Sequence, residues 1–257
     1  MTRFRQSSLC LAGLMAVFLS VIGACTHSNN EQLGLQIDNL AYIPARIAVL
    51  PCRLWPEQAS YREMPLSNIP EDNRRELCQN LDQFVVEGFK NQPYMRGISP
   101  SVVLALLERE EKLDILDRID ELWRRQPSDC SNCTNAVSYY KQAISERESW
   151  RLWLSEFSRA AFNSDAILIP FITYAHEGRT EERGLSVAYR NGGTILLLID
   201  TNTGALIWAG GREAQARRQL PKTQAGPESP EYPAWSELVN RLLIDEIWQQ
   251  FPGRQNY

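Results

Sequence analysis

Cysteine is the residue type whose number and spacing in this 257-residue sequence could support chemistry. Cys130 and Cys133 form a C-x-x-C pair in a polar stretch, whereas Cys52 and Cys78 stand apart from other cysteines. The sequence predicts structural disulfides among these four residues. It leaves their pairing open, because four cysteines allow three pairings. A bond between Cys52 and Cys78 would tie the end of the first strand to the first helix.

Two other kinds of cysteine chemistry fit the spacing less well. A thioredoxin-like redox site needs a C-x-x-C that opens a helix after a strand, and here the flanking residues are Asp129 and Thr134 without a preceding apolar strand. A zinc site needs four ligands, and the two separated cysteines form no second C-x-x-C. We therefore favour disulfides and expect no metal, and we keep a thiol oxidoreductase that uses Cys130 and Cys133 as an alternative.

Histidine chemistry has little support in the sequence. Apart from His27 near the N-terminus, the chain has only His176, and His176-Glu177 is not followed by the second histidine of H-E-x-x-H. Motifs of serine hydrolases, dinucleotide-binding proteins and P-loop proteins are absent from the sequence. We predict that His176 lies solvated in a polar loop. We also predict no catalytic or cofactor-binding residue, and hence a noncatalytic protein.

The N-terminus has the organisation of a secretory signal. Arg3 and Arg5 precede the apolar stretch 9–22, and Ile22-Gly23-Ala24-Cys25 follows. This end resembles the lipobox of bacterial lipoproteins. The resemblance implies that residues 1–24 are a signal peptide, that cleavage occurs before Cys25, and that acyl chains such as palmitate on Cys25 anchor the protein in a lipid bilayer.

Residues 25–44 are predicted to be the lipid anchor and a short polar tether. About 19 residues would reach roughly 65 Å when fully extended. Thr26 follows the cysteine, in place of the aspartate that favours inner-membrane retention in Gram-negative lipoproteins. We therefore expect the protein at the periplasmic face of the outer membrane.

Charge and composition narrow the class of partner. The full chain has 27 basic and 31 acidic residues, and removal of Arg3 and Arg5 with the signal leaves 25 basic residues and a net charge of −6. This acidic balance argues against nucleic acid as a partner. The 44% hydrophobic and 23% charged content is typical of a globular protein.

The first half of the remaining chain alternates between strand and helix patterns. The apolar run 46–51 predicts a strand buried on both faces, and residues 53–70 predict an irregular loop. A helix should begin near Pro70 and end by Asn91, because five apolar residues share its face: Leu77, Leu81, Phe84, Val85 and Phe89. Ser99-Pro100 predicts the N-cap of a further region, one long helix or two short ones, that continues to Trp123. Residues 136–162 predict another helix with an aromatic core stripe.

The second half is rich in strand patterns. Residues 165–174, 186–190 and 194–200 predict strands, with Asn191-Gly192-Gly193 as a turn or a bulge. The turn 200–204 predicts an antiparallel hairpin with residues 205–208. A loop at 219–233 and a last helix at 234–251 complete the pattern. The order predicts a single α/β (α+β) domain over 45–252, with helices on a mixed sheet, a helical insertion at about 100–162, and a tail at 253–257.

Three segments of this pattern are similar to a group of envelope lipoproteins. The segments are residues 46–51, 164–169 and 199–208. The group includes the curli-secretion channel lipoprotein and the lipoprotein activators of penicillin-binding proteins, whose domain resembles the N-terminal domain of TolB. Over residues 46–251, the resemblance implies a TolB N-terminal-like domain that binds other envelope proteins and catalyses no reaction.

The chain also departs from these relatives. An activator of penicillin-binding proteins would carry a long disordered tether, and here the tether is short. A curli-type channel subunit must contribute strands that span the membrane. Residues 185–200 are the only candidate for such a strand in the sequence. Their continuously apolar part, 195–199, is predicted to be buried core instead. The favoured hypothesis is a lipid-anchored periplasmic binding or scaffolding module of an envelope assembly. Its protein partner is not identified and oligomer formation is open. A subunit of a curli-type secretion channel is a further alternative.

Overall fold

The computed structural model describes residues 43–55, 69–90, 95–124, 133, 135–220, 232–243, 247–248 and 251–252. The predicted signal peptide, Cys25, most of the tether and Cys130 lie outside the described residues.

Six strands and six α-helices make up the described domain. In chain order the elements are β1 (Arg46–Val49), β2 (Arg53–Leu54), α1 (Glu71–Phe89), β3 (Arg96–Ile98), α2 (Pro100–Arg109), α3 (Asp114–Leu122), α4 (Ala136–Tyr139), α5 (Glu148–Ala160), β4 (Ala166–Glu182), β5 (Leu185–Asp200), β6 (Leu206–Gln219) and α6 (Trp235–Leu242). A π-helical turn, Tyr140–Ile144, lies between α4 and α5.

The strands form one mixed sheet in the order β3-β1-β4-β5-β6, and β2 pairs with β4 beyond the end of β1. β1 is parallel to both β3 and β4, whereas β4, β5 and β6 form antiparallel pairs. The fold is therefore α/β of the α+β kind, as the sequence predicts. The antiparallel strands are 14 to 17 residues long, and β1 has only four residues. Most of the antiparallel ribbon thus extends beyond the parallel part of the sheet.

Helices cover both faces of the sheet. One hydrophobic cluster joins α2, α3, α4 and α5 to one face, and it includes Trp123, Trp150 and Trp153. The second cluster joins α1 and α6 to the other face, and it includes Leu81 and Trp235. Because both faces are buried, β1 and the apolar half of β5 have continuous apolar sequences.

The helix predictions are confirmed for α1 and for the start of α2. Leu77, Leu81, Val85 and Phe89 are buried along α1. Ser99 is the N-cap of α2, and its hydroxyl accepts a hydrogen bond from the Val102 amide at 3.4 Å. Two short helices form after Ser99, because Glu111 adopts a φ of 56° just after α2 and so interrupts the helical backbone. The single helix predicted at 136–162 is instead α4, the π-helical turn and α5, and the helix predicted at 234–251 is shorter, since α6 ends at Leu242.

Three strand predictions need correction. Residues 186–200 belong to one continuous strand, so Asn191-Gly192-Gly193 is not a turn. A register shift does occur at Gly193, but its extra residue, Thr173, belongs to β4. Residues 53–54 pair with β4 and are not loop. His176 lies within β4, which continues to Glu182, and not in a polar loop. The predicted hairpin is confirmed, and the Asp200 carboxylate accepts the Asn202 and Thr203 amides within its turn.

Candidate functional site

Cys52 and Cys78 form a disulfide in the structure. Cys52 follows β1 and Cys78 lies on α1, so the bond joins the sheet to the first helix across 26 residues of sequence. Asp82 lies one helical turn after Cys78, and its Oδ1 accepts a hydrogen bond from the Cys52 amide at 2.7 Å. Cys52, Cys78 and Asp82 together are called the disulfide corner below.

The carboxyl group of the disulfide corner has unusual electrostatics. Burial raises the pKa of Asp82 to about 7, and the hydrogen bond from Cys52 partly opposes this increase. Desolvation disfavours the charged form of a carboxyl group. Asp82 therefore exchanges a proton near neutral pH beside a disulfide. No sequence motif marks this residue, because its environment is set by the contact between α1 and the segment after β1.

The second pair of predicted disulfide cysteines is described only in part. Cys133 is disulfide-bonded and its side chain is buried against the helices of the first hydrophobic cluster. Cys130 lies outside the described residues. A surface redox site needs an accessible thiolate, and Cys133 is only 8% exposed.

The second region of interest is the part of the antiparallel ribbon that extends beyond the parallel strands. We call residues 174–182, 185–193 and 211–219 the outer half of the sheet. On one face, Arg190 stacks on the Trp235 ring at 4.0 Å and forms an ion pair with Glu177 at 3.2 Å. Arg190 also donates a hydrogen bond to the Pro233 carbonyl at 2.8 Å. These contacts fix the start of α6 on that face.

The opposite face of the outer half carries rings and amides. His176 and Tyr189 lie on neighbouring strands with their ring centres 5.9 Å apart. Both residues are half-buried, and neither belongs to either hydrophobic cluster. No hydrogen bond or ion pair joins His176 to another residue in the described part of the chain. The structure therefore places His176 beside the ring of Tyr189.

Glycines make room for these rings. A Cβ atom on Gly178 would lie 2.6 Å from the Tyr189 hydroxyl oxygen, and one on Gly193 would lie 2.7 Å from Cε1 of Tyr174. Asn191, on the same face, has a buried Oδ1 without a hydrogen-bond partner. This face of the outer half thus has tyrosine rings packed closely against glycine residues, together with the buried Oδ1 of Asn191. The alternation of Tyr174, His176 and Gly178 is the signal from which this face could have been found.

In the described ranges, no group of three or more His, Cys, Asp or Glu side chains could hold a metal ion. The helices among those same residues are all too short or too polar to cross a membrane.

Comparison with known proteins gave matches only among solved structures. No family model matches the chain, and no curated protein sequence matches it. Lipoprotein GNA1162 from Neisseria meningitidis matches at 14% identity and a TM-score of 0.34, over 72% of this chain and 88% of that chain. The PelC dodecamer from Paraburkholderia phytofirmans matches at 12% identity and a TM-score of 0.35, over 86% of this chain and 97% of that chain.

The hypothetical protein CT253 from Chlamydia trachomatis also matches, at 12% identity and a TM-score of 0.32, over 81% of this chain and 91% of that chain. The matches thus include a bacterial lipoprotein. At these identities and TM-scores they carry no argument about function, so the functional argument depends on the residues of this chain.

Proposed function

We propose that this chain is a lipid-anchored, noncatalytic module at the periplasmic face of the outer membrane, and that it binds another envelope protein through the outer half of its sheet. The anchor is supported by the sequence of residues 3–25, in which two arginines and an apolar stretch lead to Ile22-Gly23-Ala24-Cys25. An acylated Cys25 and a short tether would hold the domain close to its membrane.

The face of the outer half that carries His176 and Tyr189 is the single observation that supports binding. Its residues lie on two long, fully paired strands, so their positions are fixed before a partner arrives. Tyrosine is enriched at the centres of protein interfaces, because a ring covers a large area and loses little side-chain entropy. A protein partner that places apolar groups against these rings and hydrogen-bonding groups against the amides would match this face.

Site-specific photo-crosslinking in native membranes tests the binding surface. A photoreactive amino acid replaces Thr180, which lies on the same face of β4 as His176, and in the control it replaces Gln79, an exposed residue of α1. We expect one defined envelope protein to be captured from position 180 and not from position 79. Capture of the same proteins at equal yield from both positions would contradict the proposal.

Metabolic labelling tests the anchor independently. We expect radiolabelled palmitate to be incorporated into the wild-type chain, and the Cys25→Ser variant to lose both the label and membrane association. Thr26→Asp should move the protein to the inner-membrane fraction of a density gradient. An unlabelled wild-type chain would show that residues 22–25 are not a lipid-attachment site.

A further inference from the structure

Strand β6 forms one edge of the sheet. It pairs with β5 on one side, and no strand of the described chain lies on its other side. β6 has 14 residues, whereas β3, the strand at the opposite edge, has three. Long open edges are templates for pairing with another strand, because their outward amides and carbonyls lack protein partners.

The register of β5 and β6 shows which residues direct their backbone groups outward. The Leu220 amide donates to the Ser186 carbonyl at 2.8 Å, and this pair continues the register in which Val187 faces Gln219. Hydrogen-bonded and non-hydrogen-bonded pairs alternate along an antiparallel ladder. The even-numbered residues of β6 therefore form the hydrogen-bonded pairs with β5. The backbone amides and carbonyls of the odd-numbered residues point away from β5, and these residues are Gly211, Glu213, Gln215, Arg217 and Gln219.

The outward backbone groups of the last three of these residues are available in the described chain. No backbone hydrogen bond joins Gln215, Arg217 or Gln219 to any described segment outside the β5–β6 ladder. The side chains of the five outward residues share the face that carries His176 and Tyr189, because alternate residues of a strand point the same way. Their order along the strand is Gly, Glu, Gln, Arg, Gln.

We propose that β6 pairs antiparallel with β6 of a second copy of this chain, with Gln215 opposite Gln215 at the two-fold axis. In this register Glu213 lies opposite Arg217, and the pair occurs twice because the interface is symmetric. The five outward residues then form five hydrogen-bonded pairs, or about ten backbone hydrogen bonds. The self-complementary sequence is the reason for choosing a second copy as the partner.

Charge discriminates between this register and its neighbours. An axis at residue 213 would place two Glu213 carboxylates together, and an axis at residue 217 would place two Arg217 guanidiniums together. Axes at residues 214 or 216 would leave Glu213 opposite a glutamine. Opposite charges directly across a strand pair stabilise it and like charges destabilise it. Only the axis at Gln215 pairs Glu213 with Arg217.

Existing contacts of these residues are compatible with the pairing. Arg217 donates through Nη1 to Glu182 at 2.8 Å and through Nε to Gln215 at 2.7 Å. Its Nη2 bonds to no described residue, and the side chain is 53% exposed. Glu213 already interacts within its own chain, and a carboxylate accepts several hydrogen bonds.

The reverse face has two symmetry-related unfavourable contacts in this register, because Arg212 of each copy lies opposite Arg218 of the other. Arg218 bonds to Glu237 of its own α6 at 2.9 Å, and this carboxylate offsets the repulsion.

Disulfide trapping of the full chain in native membranes tests the register. Gln215→Cys places two thiols opposite each other at the axis, within the Cα separation that a disulfide needs. Gln219→Cys is the matched control, because residue 219 would lie opposite residue 211 and roughly 27 Å from its own counterpart. With a mild oxidant, we expect a disulfide-linked homodimer from Gln215→Cys and none from Gln219→Cys or from the wild type.

Charge reversal in the Gln215→Cys background separates specific pairing from random collision. Glu213→Arg and Arg217→Glu should each lower the dimer yield about fivefold, and the double variant should restore it, because each opposed pair contributes a modest energy. Equal trapping at 215 and 219, a cysteine at 215 that links to a different protein, or a double variant without recovery would overturn the proposal. Homodimer trapping and partner capture from Thr180 are separate measurements, so either proposal can fail without the other.

Discussion

The disulfide corner and the outer half of the sheet adjoin each other along β4, but they are held together in different ways. At the corner, one covalent bond joins α1 to the segment after β1, and the Asp82 carboxyl lies buried beside it. In the outer half, the Arg190–Trp235 stack and the Arg218–Glu237 ion pair hold the strands to α6, and the Arg190–Glu177 ion pair joins β5 to β4. The chain thus places its strongest constraint beside an unfavourable buried group. The proposed binding surface depends on many weaker contacts.

Removal of the corner disulfide should have the largest effect on stability. The Cys52→Ser/Cys78→Ser variant opens a constraint across 26 residues. We expect it to lose about 3.5 kcal/mol of unfolding free energy, because loop closure restricts the unfolded chain. Urea denaturation of the two proteins measures the loss.

The Cys130→Ser/Cys133→Ser variant is the control, since a bond between residues three apart would contribute less than about 2 kcal/mol. The same variant tests the redox alternative, which predicts loss of thiol oxidation. A corner variant as stable as the wild type would remove the distinction between the two regions.

Asp82 should make the stability of the wild-type protein depend on pH. The folded pKa of about 7 is above the ordinary value of 3.8, so the folded state binds the proton more tightly. Its contribution is most favourable below pH 3.8 and is lost as pH rises towards 7. We expect the unfolding free energy of the wild type to fall by about 3 kcal/mol between pH 4 and pH 7 relative to Asp82→Asn.

Denaturant unfolding at pH 4, 5, 6 and 7 measures this difference, and the asparagine can still accept the Cys52 amide. Asp72→Asn is the matched control, because Asp72 lies on the same helix with 91% of its side chain exposed. If Asp82→Asn and the wild type show the same pH profile, the carboxyl is not the buried group that the corner protects.

Arg190 should be the most important single contact in the outer half. Its side chain is only 12% exposed, and it stacks on Trp235 while it pairs with Glu177. We expect Arg190→Ala to lose about 2 kcal/mol, the combined scale of a desolvated cation–π contact and a partly buried ion pair. Thermal or chemical unfolding measures this change.

Arg190→Lys should lose less, because it keeps the charge but not the planar stack. Arg75→Ala, at an arginine 60% exposed beside Glu71 and Asp72, should change stability by less than about 0.5 kcal/mol. Equal losses for the two alanine variants would show that the outer half is held no more firmly than an ordinary surface.

The elements near the disulfide corner were predictable from sequence, because their signals are local. The apolar run of β1, the periodic apolar positions of α1 and the Ser99-Pro100 helix start all act within a few residues. The environment of Asp82 was not predictable, since it depends on a contact between residues 30 apart in sequence.

The strand at 186–190 is predicted from the sequence, but the outer parts of β4 and β6 are not, for a different physical reason. Residues 211–219 are mostly charged residues, alanine and glutamine, which favour helices when isolated. They form a strand because β5 supplies a partner, and strand preference depends strongly on such neighbours. The turn between β4 and β5 also lacks a typical turn sequence. Arg183 adopts a φ of 53° there, and arginine is not a typical residue for that conformation. The sequence therefore predicts a loop at His176, where the structure has a strand.

Gly178→Ala should give the smallest change in stability and still alter the proposed binding face. The new Cβ would lie 2.6 Å from the Tyr189 hydroxyl oxygen and 3.3 Å from Nε2 of His176. The far end of the tyrosine side chain can move, and alanine reduces the entropy of the unfolded chain relative to glycine. We expect a stability change below about 1 kcal/mol together with a clear loss of partner capture from position 180. Arg75→Ala, measured by the same crosslinking assay with the photoreactive residue at position 180, is the control, because it changes an exposed side chain of α1 and leaves the Tyr189 ring in place. If Gly178→Ala captures the partner as well as the wild type does, the position of the Tyr189 ring is not part of what the partner recognises.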